Sequence, residues 1–175
     1  SLSSFSHYCM DELTATTLEH VALGVALAEP VLLEGETSTS KTSSILYLAA
    51  LLGQPAVRIN LNGQTDTGEL VGRYVPDDLR DEAPPTVAGE TDGGGSSGDR
   101  AHPWRWQDGL LVQALRRGWW VILDELNLAE PQILERLNSV LEREPSLVLT
   151  EHDNTVIGHG GAAVHPGFRI FGTMN

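Results

Sequence analysis

The chain has 175 residues, of which 41% are hydrophobic and 20% charged, and a formal net charge of -13, the balance of one globular domain with a real core. That charge argues against a general nucleic-acid-binding surface, which needs a basic footprint, and suits either a basic partner or a solvated acidic exterior. Pro30, Glu34 and Lys41 interrupt the most apolar stretch, so no run reaches membrane-spanning length, and the single cysteine, Cys9, excludes an internal disulfide framework and fits a reducing compartment.

Leu13, Leu18, Val21, Ala22, Val25 and Leu27 form a helical stripe over residues 11–28, stopped by Pro30. Val31–Leu33 reads as a short buried strand, followed by a loop at 35–40. Residues 41–52 predict a helix with Ile45, Leu48, Ala49 and Leu52 on one face and Gly53 as its stop. Val57, Ile59 and Leu61 alternate as a second strand, and Thr65–Tyr74 is polar with room for a short helix. Pro84-Pro85 and Gly93-Gly94-Gly95-Ser96-Ser97-Gly98 mark residues 76–103 as a flexible inserted loop, because the regular pattern resumes beyond it. Trp104 and Trp106 flank Arg105 as in a short edge strand. Leu110–Arg117 predicts a helix ending at Gly118, and Trp119–Leu123 a strand too uniformly apolar for a surface, hence covered on both faces. Glu130–Glu142 predicts a helix with Ile133, Leu134, Leu137, Val140 and Leu141 inward. A hairpin at 147–157 and a last strand at Phe168–Gly172 complete the pattern. Strands alternating with helices imply a mostly parallel α/β sheet with helices on both faces, a three-layer αβα sandwich.

Lys41 is the one lysine of the chain; the other ten basic residues are arginine. It stands in Gly35-Glu36-Thr37-Ser38-Thr39-Ser40-Lys41-Thr42, after a strand and at the start of a helix, with the spacing of a phosphate-binding loop. Ser40 replaces the second glycine. A compact ammonium suits a phosphate as a point charge. The amides of residues 37–42, at a helix N-terminus, would wrap a β-phosphate. Lys41 would span the β- and γ-phosphates and the Thr42 hydroxyl would bind Mg²⁺.

About 80 residues on, an apolar strand ends in Asp124-Glu125. Two adjacent acids there are costly unless they serve a cation or emerge at the sheet edge. Asp124 is read as holding the Mg²⁺ hydration shell, and Glu125 as the general base that polarises water. The strand Phe168-Arg169-Ile170-Phe171-Gly172-Thr173-Met174 ends in Asn175, an amide placed to hold the lytic water or to sense the γ-phosphate.

These three elements together resemble the AAA+ ATPases, specifically the dynein-related group with its midasin and MoxR-like modules. The likeness covers Pro30–Tyr74 and Trp104–Asn175. It is carried by Val57-Arg58-Ile59-Asn60, Trp106–Leu115, Gly118–Ala129, and His165-Pro166 with the last strand. It implies a P-loop ATPase core in which Asp124-Glu125 is Walker B, Asn175 is sensor 1, and residues 147–157 form the hairpin before sensor 1. The 76–103 loop lies where the family carries an insertion after its second helix. The resemblance further implies ATP hydrolysis with Mg²⁺ in a ring, either a homohexamer or tandem modules, that remodels a protein partner. It places the protein in the cytoplasm, or in the nucleus for a midasin-type protein, while hydropathy and charge speak against a membrane span and make nucleic acid an unlikely partner.

The start at Ser1, without a secretory leader, and the stop at Met174-Asn175 read as a fragment of a longer protein. By the resemblance, the small helical lid and arginine finger fall outside the chain. Arg136 and Arg143 are then the nearest arginines for a trans-acting role, although ordinary surface charge is the plainer reading. Asn127 either touches a neighbouring subunit's nucleotide or, more plainly, caps the next helix. The six histidines lack zinc-site spacing, and Trp119 and Trp120 read as packing residues. Two rival functions remain. One is a GTP-hydrolysing motor of the restriction-enzyme type, which shares Walker B and a Thr-Met-Asn sensor. The other is a degenerate structural module of a ring, motivated by Ser40.

Overall fold

The computed structural model describes residues 11–36, 39–63, 65–76 and 104–175. Cys9, Thr37, Ser38, and the expected loop beyond Pro76 lie outside the described residues. In chain order the elements are α1 (Glu12–Leu27), β1 (Val31–Glu34), α2 (Lys41–Leu51), β2 (Ala56–Asn60), α3 (Thr67–Leu70), β3 (Gly72–Pro76) and β4 (Trp104–Asp108). They continue with α4 (Leu110–Arg117), β5 (Trp120–Asp124), α5 (Pro131–Asn138), β6 (Leu147–Leu149), β7 (Thr155–Ile157) and β8 (Arg169–Met174). β1, β8, β5 and β2 lie side by side in that order, each neighbouring pair parallel.

Two cores follow from the two-residue period of the central strands. Trp120 and Ile122 of β5 and Phe171 of β8 pack with Val21 of α1 and with Ile45 and Ala49 of α2. Val121 and Leu123, with Ile170, face the other way, against Leu111 and Leu115 of α4 and Ile133 and Leu137 of α5. Helices therefore cover both faces, and the three-layer αβα arrangement is the one the alternating pattern requires. Every residue of β5 is buried, and each such apolar side chain contributes about 1.5–3 kcal/mol of burial free energy. Among the described residues, no helix is long and apolar enough to cross a membrane.

The ends of the elements are set locally. Asp11 caps α1 by accepting a hydrogen bond from the Thr14 amide at 2.7 Å. Gly24 lets α1 press on β1: a Cβ there would stand 2.1 Å from Val31 Cγ2. Gly118 closes α4 in the left-handed conformation (φ 75), and a Cβ there would strike the His165 ring.

Several expectations need correction. Of the stripe read on α1 only Val21 is buried, and Leu13 and Leu27 face outward. β1 is not a buried strand: among the described residues it borders a single neighbour, β8, and its residues alternate, with Leu32 54% exposed. Leu52 lies just past α2 and is exposed rather than on its apolar face. α5 ends at Asn138, not Glu142, because Ser139 follows as its cap and the amide of Val140 tightens onto Leu137 O. Asn127 lies in a 3-10 turn at Leu126–Leu128 and does not cap α5, whose N-cap is Glu130. One element was missed: β3 pairs antiparallel with β4 in a two-stranded ribbon. The hairpin β6–β7 stands as read. Its turn docks on that ribbon through His152, which stacks on Trp106 (centroids 4.8 Å apart) and meets the Tyr74 hydroxyl at 3.2 Å.

Candidate functional site at the carboxyl ends of the parallel strands

The strand tips of β1, β5 and β8 meet at one end of the sheet, where open parallel sheets place their ligand clefts. The amide of Gly35 donates to Met174 O at 3.3 Å, so the loop after β1 leaves the sheet beside β8. At the other end of that loop, Ser40 has φ 57 and ψ 15, the left-handed region, immediately before α2. The position that usually carries glycine thus keeps the glycine-type backbone turn with a serine in it. Ser40 O accepts from the Ser44 amide at 2.8 Å, which starts the helix.

Lys41 folds back over the loop. Its Nζ donates to Gly35 O at 2.6 Å and Glu36 O at 2.7 Å, lies 3.3 Å from Thr39 Oγ1, and reaches Asn175 Oδ1 at 3.1 Å. Thr42, on the next position of α2, donates from Oγ1 to Asp124 Oδ1 at 3.1 Å. The face periodicity explains the meeting. Asp124 continues the Trp120–Ile122 side of β5, the side that packs on α2.

Asp124 is held from three directions. Oδ1 also accepts from the Thr173 hydroxyl of β8, and Oδ2 pairs with the Arg58 guanidinium of β2. Burial alone would push the Asp124 carboxyl up. The Thr173 hydrogen bond, the charge and hydrogen bond of Arg58 and the bond from Thr42 together hold it below the ordinary aspartate value. Glu125 comes next, where the chain turns sharply: its backbone is left-handed at φ 59 and its amide faces Thr173 Oγ1 at 3.4 Å. A non-glycine residue in that region is strained, and such residues gather at functional sites.

One cleft is lined by Thr39, Ser40, Lys41, Thr42, Ser43, Asp124, Glu125, Thr173, Met174 and Asn175. Of the expected site residues, Thr39, Ser40, Lys41, Thr42, Asp124, Glu125 and Asn175 are brought together there. Gly35 and Glu36 stand beside it through their carbonyls. Thr37 and Ser38 lie outside the described residues. Sequence reasoning missed Arg58 and Thr173. Thr173 was readable in principle, since it shares the face of Phe171 two residues earlier. Arg58 needed the register, in which Arg58 lies beside Ile122 and Asn60 beside Asp124.

The arginines considered for a trans-acting role differ. Arg136 is engaged within the chain, donating to Val148 O and Thr150 Oγ1 at 2.9 Å each and pairing with Glu151, which fastens the β6–β7 hairpin to α5. Arg143 is exposed beyond α5. Trp120 is a core residue, whereas Trp119 is only partly buried and carries the Arg117 guanidinium 5.2 Å from its ring centroid.

The family model for the AAA domain of the dynein-related subfamily matches residues 30–175. The chain belongs to that family. Midasin of Dictyostelium discoideum is 34% identical over 171 residues, covering 97% of this chain and 2% of that protein. Midasin of Giardia intestinalis is 33% identical over 168 residues, 96% of this chain and 3% of that one. The aerobic cobaltochelatase subunit CobS of a Sinorhizobium species is 27% identical over 163 residues, 91% of this chain and 40% of that subunit. The chain therefore spans a small part of the midasins it matches and less than half of the cobaltochelatase subunit. A crystal structure from Cytophaga hutchinsonii shares the fold with a TM-score of 0.56 at 14% identity, over 92% of this chain and 38% of that one. As an AAA+ domain the chain has the makings of a nucleotide-dependent activity, in a family that uses nucleotide, typically with Mg²⁺, and usually works as oligomeric assemblies.

Proposed function

We propose that residues 1–175 form one AAA+ nucleotide-binding core, with an insertion at 76–103, that binds Mg·ATP and hydrolyses it to power remodelling of a protein partner within a ring of such modules. The observation that carries this reading is the convergence of Lys41, the Thr42–Asp124 pair, Glu125 and Asn175 on one cleft.

Each residue has a role that its chemistry supports. The loop amides at the start of α2 and the Lys41 ammonium receive the triphosphate and stabilise charge that develops on its terminal oxygens. Residues Gly35, Glu36, Thr37, Ser38, Thr39, Ser40, Lys41 and Thr42 make up that nucleotide loop. A hydroxyl and a carboxylate 3.1 Å apart are hard oxygen donors that fit Mg²⁺, with Thr42 binding it and Asp124 holding its waters. The ion, when bound, neutralises charge on the β- and γ-phosphates. Glu125 takes the proton of the attacking water, and Asn175 orients that water against the terminal phosphate.

The Glu125→Gln variant tests the reading. It keeps the shape of the cleft but removes the base, so nucleotide binding should persist while turnover by the intact protein falls by at least 100-fold. Turnover at the wild-type rate would remove Glu125 from the role of base. Parallel titrations with ATP and GTP separate this reading from a GTP-driven motor.

A further inference from the structure

Asp124 has two oxygens with different company. Oδ1 faces α2 and β8, accepting from Thr42 at 3.1 Å and from the Thr173 hydroxyl; Oδ2 faces β2 and is taken by Arg58. The parallel register makes this pairing possible. Arg58 lies beside Ile122, two residues before the Asn60–Asp124 level, and adjacent partners in a parallel pair point to the same side. A long guanidinium side chain leaning along its strand therefore arrives beside the carboxylate. The two differ in setting: the Arg58 side chain is 54% exposed and that of Asp124 10%. About half of the side chain stays in water while its Nη2 contacts the buried carboxylate.

The torsion that turns a carboxylate about its Cβ–Cγ bond is broad and roughly two-fold. Two hydroxyls on Oδ1 restrain that torsion from one side only. A guanidinium, planar and permanently charged, does so from the opposite side. Arg58 also sets a positive charge against Asp124, which is buried. Lys41, the cation that lines the cleft, is directed instead at the loop carbonyls and Asn175.

We infer that Arg58 is a positioning residue for Asp124: by occupying Oδ2 from the neighbouring strand, it commits Oδ1 to the Thr42 side, where the metal accompanying the nucleotide is held. This rests on the nucleotide reading above and adds a residue to it. Arg58 touches neither phosphate nor metal in this account. It acts through the carboxylate, as outer-shell partners do when they orient a metal's ligands.

The experiment separates metal from nucleotide. A fluorescent ATP analogue is bound to the intact protein in EDTA, then MgCl₂ is titrated at fixed nucleotide, for wild type, Arg58→Met and Arg58→Lys. Arg58→Met should bind the analogue in EDTA as wild type does, yet need about tenfold more Mg²⁺ to reach half of the tightened state. Arg58→Lys, which keeps the charge and loses the fork, should fall between the two and retain the fold if methionine disturbs it. An unchanged or lower Mg²⁺ requirement in both variants would overturn the inference while leaving nucleotide binding standing. If wild type itself fails to bind the analogue with or without Mg²⁺, the nucleotide reading fails, and this inference goes with it.

Discussion

Lys41 Nζ and Asn175 Oδ1 are 3.1 Å apart although 134 positions separate them in the chain. One sits on the first turn of α2 and the other directly after β8. The contact joins the loop before α2 to the end of β8 across the cleft, and it is available because β1 and β8 are neighbours in the sheet. A terminal phosphate accepted by Lys41 would lie against the same amide that is proposed to orient water.

Lys41 should therefore tolerate little change. Lys41→Ala removes the charge-assisted hydrogen bonds, each worth about 1.5–3 kcal/mol, and should weaken nucleotide binding on the order of 10- to 100-fold. Lys41→Arg should not restore it, since a planar fork does not reproduce a compact ammonium threaded among four oxygens. Calorimetry with Mg·ATP on the three proteins checks both statements. Wild-type affinity in either variant would contradict them.

Ser40 makes the opposite prediction. Its left-handed backbone strains an L-residue, and glycine relieves that strain at the cost of a freer unfolded chain. Ser40→Gly should stabilise the fold by about 1 kcal/mol without weakening nucleotide binding. Denaturant unfolding with and without nucleotide measures it. A large gain in affinity would instead mark the serine as a device that suppresses binding.

The hairpin β6–β7 should carry an acid-sensitive tie. Burial raises the Glu151 carboxyl, but hydrogen bonds from Arg136, from its own amide and from Thr150, with the charge of Arg136, hold it below the usual glutamate value. A folded pKa below the unfolded one gives stability that is present above the unfolded value of about 4.3. It is lost as pH falls through the folded value. The stability difference between wild type and Glu151→Gln should accordingly shrink on acidification below about pH 4. A difference that does not change with pH would show that the pairing with Arg136 adds nothing.

Much of the layout was readable because its signals are local. α4 has the bounds its apolar spacing and Gly118 predict, and the unbroken apolar run at Trp119–Leu123 foretold a strand buried on both sides. The strand–loop–helix around Lys41 and the acids at the end of β5 were visible as spacing. What escaped depends on pairing between distant segments. β3 gained its strand geometry from β4, about thirty residues on. Arg58 drew no role from the alternation of β2; the register with β5, which sets it beside Ile122, is what lets its side chain reach Asp124. Arg136 looked like an ordinary helix-surface charge, and the hairpin that occupies it folds back from 12 to 15 residues downstream. β1 read as buried from its three apolar residues, but composition does not say which strand lies at an edge.

The convergence of three strand tips on one triphosphate is tested most directly by a crystal structure of the protein with Mg²⁺ and a non-hydrolysable ATP analogue. The account predicts the terminal phosphate within hydrogen-bonding reach of Lys41 Nζ and Asn175, and the metal beside Thr42 with Asp124 behind its waters. A nucleotide bound away from this cleft, or one that leaves Lys41 on its loop carbonyls and Asp124 without contact to the metal's shell, would contradict it.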